Sequence, residues 1–231
     1  LPEVGIGVFS RHLFNDIVQK FESMEVGYLK CANFERNVYI IRYNNTLLTF
    51  FMAGVGGPLL AGDIEELHAQ GVKKFIIFGN CGVLDKNIED CSIIIPTMGF
   101  REEGVSYHYV DASETIDMNP KYVDDFIDIL NEYNFSYTKG YTWTTDAFYR
   151  ETREKINYFK EKNVLCVEME GTTIAAVCKY LDVDYFTFYY AGDNLDSTIW
   201  DKRSLDGLEK IDKKKEVALL AFELGVKISE K

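Results

Sequence analysis

Residues 73–79 read KKFIIFG. Phe75, Ile76, Ile77 and Phe78 follow one another with no polar break, and a glycine ends the run. A strand with one wet face alternates apolar and polar residues; an unbroken short apolar run marks a strand covered on both faces. Covering both faces requires layers above and below it. This run therefore predicts a central, largely parallel sheet with helices on each side.

Working outward, the pattern repeats. Upstream, the glycine-rich stretch 54–58 (GVGGP) leads into a predicted helix over 59–70, closed by Gly71. Before it, apolar runs at 38–42 and 47–52 flank Asn44 and Asn45, a hairpin signal. Residues 4–9 read as a strand and 13–24 as a helix. Downstream, 91–95 reads as a strand stopped by Pro96, 121–133 as a helix and 136–143 as a strand. A helix over 151–162, a strand over 164–167 and a helix over 169–181 follow. A strand over 185–191 and a long amphipathic helix over 205–228 complete the series. A second hairpin, around 101–110, makes the sheet mixed. Strands alternating with helices, with no linker, repeat or low-complexity segment, give an α/β fold in one domain over 1–231: a mixed, mostly parallel central sheet flanked by helices.

Composition excludes several classes. With 25 basic and 37 acidic residues the formal charge is −12, the wrong sign for a sequence-independent nucleic-acid binder. No apolar run approaches the ~20 residues of a membrane span, so neither nucleic acid nor membrane is an expected partner. Residues 1–9 lack the basic start and long apolar core of a signal peptide. Cys31, Cys81, Cys91, Cys166 and Cys178 are scattered without CxxC or Cys/His metal spacing. They read as reduced thiols of a cytoplasmic protein.

In such sheets ligands gather at the carboxyl ends of the strands. Those ends carry GNCG (79–82), TTDAFY (144–149), EME (168–170) and AGDN (191–194). Residue by residue, the chemistry stays open. Glu168 and Glu170 sit where a strand hands over to a helix; they complement the helix dipole, the commoner use, or hold hydroxyl groups. Asp193 caps a turn or serves as a general acid. The glycines of 54–57 and 79–82 make tight turns or present N–H groups to a ligand. Phe148 and Tyr149 read as core aromatics or as a stacking platform. His108 reads as structural, Trp143 and Trp200 as packing residues, and Lys213–Lys215 as a solvated helix face.

Taken together, GNCGVL, TTDAFY, VEMEGTTIAAV and AGDN, in this order and spacing, resemble the nucleoside phosphorylase I family. That family holds purine nucleoside phosphorylases, uridine phosphorylases and related nucleosidases. The likeness runs over about 4–228, and REEGVSYHY (101–109) is similar to a stretch of the uridine phosphorylases. The resemblance implies roles. Glu170 would bind the ribose hydroxyls, Met169 would pack on the sugar, and Val55 would lie under it. Phe148 would stack on the base, with Glu168 beside it. Asp193 would protonate N7 of a purine, so that phosphate can attack C1′. The expected partners are a nucleoside, inorganic phosphate and further copies of the chain, from dimer to hexamer. No metal or organic cofactor is implied.

Three departures qualify it. Ile77 and Leu13 stand where the family places phosphate-binding arginines, and Asn80 where it places Ser or Thr. Arg11, Arg36, Arg42 and Arg101 are the arginines left to bind phosphate, alongside Asn80. Thr152 and Glu154 replace the Gln and Arg that read uracil. The expectation is a purine-leaning nucleoside phosphorylase. Its alternatives are a nucleosidase using water or a uridine phosphorylase-like enzyme, and a nucleoside-binding protein without turnover.

Overall fold

A computed structural model describes residues 1–205 and 208–231. The chain runs β1 (Val4–Val8), α1 (Arg11–Lys20), β2 (Glu22–Cys31), β3 (Phe34–Tyr43), β4 (Thr46–Met52) and α2 (Gly57–Ala69). It continues through β5 (Lys74–Val83), β6 (Ile93–Glu102), β7 (Thr115–Asp117), α3 (Val123–Glu132) and β8 (Tyr137–Thr145). It ends with α4 (Arg153–Glu161), β9 (Val164–Glu168), α5 (Gly171–Leu181), β10 (Asp184–Asn194) and α6 (Ile211–Ser229).

The strand over KKFIIFG is at the centre, as its composition requires. β5 pairs in parallel with β1 on one side and β10 on the other. Ile76 and Phe78 point to one face, packing with Phe186, Phe188 and Phe222 under α3 and α6. Phe75 and Ile77 point to the opposite face, against Leu60 and Ile64 of α2 and Ile174 and Val177 of α5. All are at most 1 % exposed, each contributing about 1.5–3 kcal/mol relative to an exposed side chain.

Among the described residues the strands form one ten-stranded mixed sheet. Its two halves differ. β1, β4, β3 and β2 extend from β5 as an open wing, with β3 antiparallel to both β4 and β2. On the other side β10, β6, β8 and β9 follow in order, and β9 returns to pair with β5, closing a ring.

Several boundaries differ from the sequence reading, each for a local reason. The helix expected to reach 24 stops at Lys20, where the Phe21 N–H still bonds the Ile17 carbonyl; β2 follows, an edge strand whose bulge between Glu25 and Gly27 breaks the alternation that would reveal it. Pro96 does not end its strand. β6 passes through it with a register shift between Pro96 and Met98, which accommodates the missing N–H. The turn expected at 79–82 is absent, since β5 continues to Val83. Its glycines make room: a Cβ at Gly79 would lie 2.8 Å from the Phe9 ring, and one at Gly82 3.0 Å from Leu195. At 54–57 the turn is real, with Gly56 at φ +90°. The hairpin near 101–110 is wider than expected, β6 returning as β7 after a 3₁₀ turn at Ser106–His108. The last helix begins at Ile211, not 205; residues 206 and 207 of that expectation lie outside the described residues.

Candidate active site

The carboxyl ends of β5, β8, β9 and β10 and the loops after β1 and β4 surround a cavity of about 700 Å³, within the size range of small-molecule sites. Val55, Asn80, Phe148, Glu168, Met169, Glu170 and Asp193 line it together. A smaller cavity of about 270 Å³ adjoins it, sharing Phe9, Val55, Asn80 and Leu205.

The two glutamates of the EME segment have different tasks. Glu168 ends β9, and both of its carboxylate oxygens are taken by the protein. Oε1 accepts from the Thr144 hydroxyl at 2.6 Å and the Thr142 hydroxyl at 3.2 Å. Oε2 accepts the backbone N–H groups of Glu170 at 2.8 Å and Gly171 at 2.5 Å, at the start of α5. Burial pushes its carboxyl up, and these donors oppose that rise. Glu168 thus pins the strand to the helix. Glu168 also lines the cavity, where a place beside the base is expected for it. Glu170 is the N-cap residue but makes no side-chain cap bond. Its Oε1 accepts from the Gly56 N–H of the glycine turn, and the carboxylate faces the cavity. Burial, then the neighbouring Glu168 charge, pushes Glu170 up to about 8.

Asp193 lies near the end of β10, half-buried. Its Oδ2 accepts from the Trp200 indole N–H at 2.7 Å. Burial raises its carboxyl above the ordinary range, against the pull of that donor and of the Arg203 charge. Trp200, read from sequence as a packing residue, is instead 57 % exposed and orients Asp193. Trp143 does pack, fully buried and stacked on Phe159.

None of the four arginines expected at the phosphate lines either cavity of this chain. Arg36 is buried in an ion pair with Asp63, donating also to the Met52 carbonyl. Arg101 is buried, bonded to Ser106 and to the Asp111 carbonyl and lying over the Tyr107 ring. Arg42 pairs with Glu22 on the exposed wing. Arg11, first residue of α1, is exposed and lines neither cavity. Ion pairs and hydrogen bonds within the chain thus engage the guanidinium groups of Arg36, Arg101 and Arg42. Ile77 and Leu13 are core residues at 0 % and 1 % exposure.

Three lining residues were not legible. Lys214 of α6 is 4 % exposed, donates to the Ser204 carbonyl and lines the smaller cavity with Ser10 and Asn80. Its place in a lysine run suggested a solvated face; the apolar positions 217, 220, 221 and 224 on the same helix were the signal that part of the run turns inward. Glu151 and Arg153 line the larger cavity, whereas the positions matched to uracil-reading residues, Thr152 and Glu154, do not. The Thr152 hydroxyl caps α4 through the Lys155 N–H. Among the described residues, no group of His, Cys and acidic side chains could hold a metal ion, and no helix is long and apolar enough to cross a membrane.

A family model described as the phosphorylase superfamily matches residues 3–228; the chain belongs to that superfamily. Among curated relatives, a guanosine phosphorylase of Halorubrum lacusprofundi is 28 % identical over 65 % of this chain and 63 % of its own length. An uncharacterized protein of Acanthamoeba polyphaga mimivirus is 31 % identical over 75 % of this chain and 65 % of its own. The chain thus spans somewhat less than two thirds of these relatives. Among solved structures, the purine nucleoside phosphorylase of Toxoplasma gondii, in complex with immucillin-H, superposes with a TM-score of 0.85 at 18 % identity, over 100 % of this chain and 92 % of the other. A uridine phosphorylase of Vibrio fischeri gives 0.82 at 20 % identity over 98 % and 92 %. These two likenesses establish the fold.

Proposed function

We propose that this protein is a purine nucleoside phosphorylase, cleaving the N-glycosidic bond of a purine nucleoside with phosphate to give free base and ribose 1-phosphate. The observation that carries the reading is the joint placement of Glu170 and Asp193 on one cavity. Glu170 has a carboxylate facing outward from a buried position, suited to accept from vicinal ribose hydroxyls. Met169 and Val55 flank that region and Phe148 offers a ring to the base. Asp193, whose carboxyl burial raises, is the group we assign to protonate N7. Protonation makes the purine a better leaving group as the C1′–N9 bond stretches, and phosphate adds at C1′. The pocket acts by positioning and by placing charge where it develops.

The phosphate would sit in the smaller cavity. Ser10, Asn80 and the ammonium of Lys214 supply its polar lining, taking over from the arginines replaced by Leu13 and Ile77. Val55 at 62 %, Phe148 at 51 % and Tyr149 at 89 % exposure form an open apolar rim. This supports assembly as a homo-oligomer in which a neighbouring copy covers the mouth. Buried free thiols at Cys81, Cys91, Cys166 and Cys178 suit a cytoplasmic setting.

A second reading, a nucleosidase using water, is favoured by the apolar character of Ile77 and Leu13. Product analysis with inosine, adenosine, guanosine and uridine, with and without phosphate, separates the two. Base release that needs phosphate and yields ribose 1-phosphate supports the phosphorylase. Base release without phosphate supports the nucleosidase. Binding without any product leaves only a nucleoside-binding protein.

A further inference from the structure

What holds Glu170 in place bears on its assignment to the sugar, on which this inference rests. Helix α2 buries Gly57, Leu60, Ala61, Ile64 and Leu67, and with them one charged residue, Asp63. The partner of Asp63 is Arg36 of β3, and both side chains are 4 % exposed. Arg36 Nη2 donates to Asp63 Oδ1 at 2.7 Å. Its Nη1 donates to Asp63 Oδ2 and also to the Met52 carbonyl, the latter at 3.1 Å. Asp63 Oδ2 in turn accepts the Gly54 N–H at 2.8 Å. The pair thus grips the chain on both sides of Ala53, where β4 gives way to the glycine turn. A Cβ at Gly54 would lie 2.9 Å from Arg36 Nη1, so the turn lies directly against the guanidinium.

An ion pair withdrawn from water is costly, and apolar residues of similar volume in its place are often neutral or stabilising. The Arg36 Nε–H adds to that cost, being buried without an acceptor among the described residues. What the pair supplies is direction. Two residues beyond Gly54, the Gly56 N–H donates to Glu170 Oε1 at 2.5 Å, from a backbone at φ +90°. On its other side the turn is backed by α5, since a Cβ at Gly57 would lie 2.6 Å from Thr173 Oγ1. A short path of hydrogen bonds and tight packing therefore runs from β3 through Asp63 and Gly54 to the Glu170 carboxylate. Arg36 and Asp63 line neither cavity, so any effect they have on a ligand passes along that path.

We propose that the Arg36–Asp63 ion pair is a positioning element for Glu170: by anchoring Gly54 it places the Gly56 N–H, and with it the carboxylate that receives the ribose hydroxyls.

Removing one partner leaves a buried charge uncompensated and endangers the fold. The test therefore uses the apolar pair Arg36→Met with Asp63→Leu, beside Glu170→Ala and the variant carrying all three changes. Three quantities are measured: melting temperature, hydrogen exchange of the Gly54 and Gly56 amides, and binding of inosine against free hypoxanthine. The apolar pair is expected to melt at or above the wild-type temperature. Its Gly54 and Gly56 amides exchange at least about tenfold faster. Inosine binds about 5- to 50-fold more weakly, the scale of a misplaced charged hydrogen bond, while hypoxanthine binds as before. Arg36→Lys, which keeps the charge but loses the two-pronged grip, falls between. The triple variant binds inosine no more weakly than Glu170→Ala, because the pair acts only through that carboxylate. Unchanged exchange at Gly56 overturns the inference. So does equal weakening of inosine and hypoxanthine, or a further loss in the triple variant, since either marks general support of the fold. The failures separate. If Glu170→Ala loses inosine but the apolar pair keeps both its inosine affinity and its Gly56 protection, this inference falls and the sugar reading stands. If Glu170→Ala binds inosine as wild type does, the sugar reading falls, and exchange at Gly56 alone decides whether the pair positions Glu170.

Discussion

The two ends of the cavity system are built on opposite plans. In the larger cavity, where we propose that sugar and base bind, acidic side chains near the strand ends are partly or wholly withdrawn from water, and burial raises Asp193, Glu151 and Glu170. In the smaller cavity, the proposed anion site, Ser10, Asn80 and Lys214 provide the polar surface, while Leu13 and Ile77 belong to the core. On the proposed reading, the difference teaches that holding a nucleoside and activating its base are structurally separable from delivering the nucleophile. One end follows from where strands finish. The other depends on which cation a neighbouring helix happens to swing inward.

Three substitutions break or sharpen that contrast. The largest effect belongs to the base end. Asp193→Asn keeps the shape and the Trp200 hydrogen bond but removes the transferable proton, so kcat for purine nucleosides should fall by about 10²- to 10⁴-fold. Initial rates beside an unchanged melting curve check this; undiminished turnover would remove Asp193 from the mechanism. At the anion end, Lys214→Met keeps the buried stem and removes the charge. The KM for phosphate should rise about 10- to 100-fold, the scale of a charge-assisted hydrogen bond, while nucleoside affinity holds. An unaltered phosphate KM would return the anion site to an unidentified group or to another subunit.

The smallest effect is a stability change at Glu170. Its folded-state carboxyl is raised from an ordinary 4.5 to about 8, chiefly by burial. A raised carboxyl favours the folded state when protonated. That contribution is whole below pH 4.5 and is lost as pH rises through 8. Glu170→Gln fixes the neutral form, so its melting temperature should exceed the wild type's at pH 8 and match it near pH 4.5. The same variant should weaken nucleoside binding, because an amide is a poorer acceptor for ribose hydroxyls. Equal melting temperatures at both pH values would mean that the carboxyl is relieved by water in the free protein.

Much of this was legible in the sequence because it rests on local rules. An unbroken apolar run had to be a two-sided strand, and Phe75–Phe78 is one. The Asn44–Asn45 hairpin turn needs positive φ at both residues, and they have 45° and 63°. What was not legible depends on contacts distant in the chain. The glycines at 79 and 82 read as turn formers, yet they are strand positions left bare for Phe9 and Leu195. Glu168 and Glu170 are indistinguishable by spacing; only the positions of Thr142, Thr144 and Gly56 show that, of two residues lining the cavity, the first also braces strand to helix. The dipole-complementing use favoured on chemistry alone describes Glu168 well and Glu170 poorly. Glu151 carries no local mark of its inward orientation, and Lys214 only the apolar helical spacing of 217, 220, 221 and 224.

The closing of the ring by β9 has a mechanical consequence. β9 is short, yet β8 and β5 grip it from either side while Glu168 locks its end to α5. The strands bearing the polar site residues are therefore hoops of one barrel stave set, and none can be peeled away without springing the others. The wing ends differently, in β2, whose outer backbone groups and exposed Met24 and Tyr28 face solvent. Fraying, slippage and unwanted pairing belong to that far border, some strands away from the pocket, so the molecule can loosen at its margin while the geometry at its centre stays fixed.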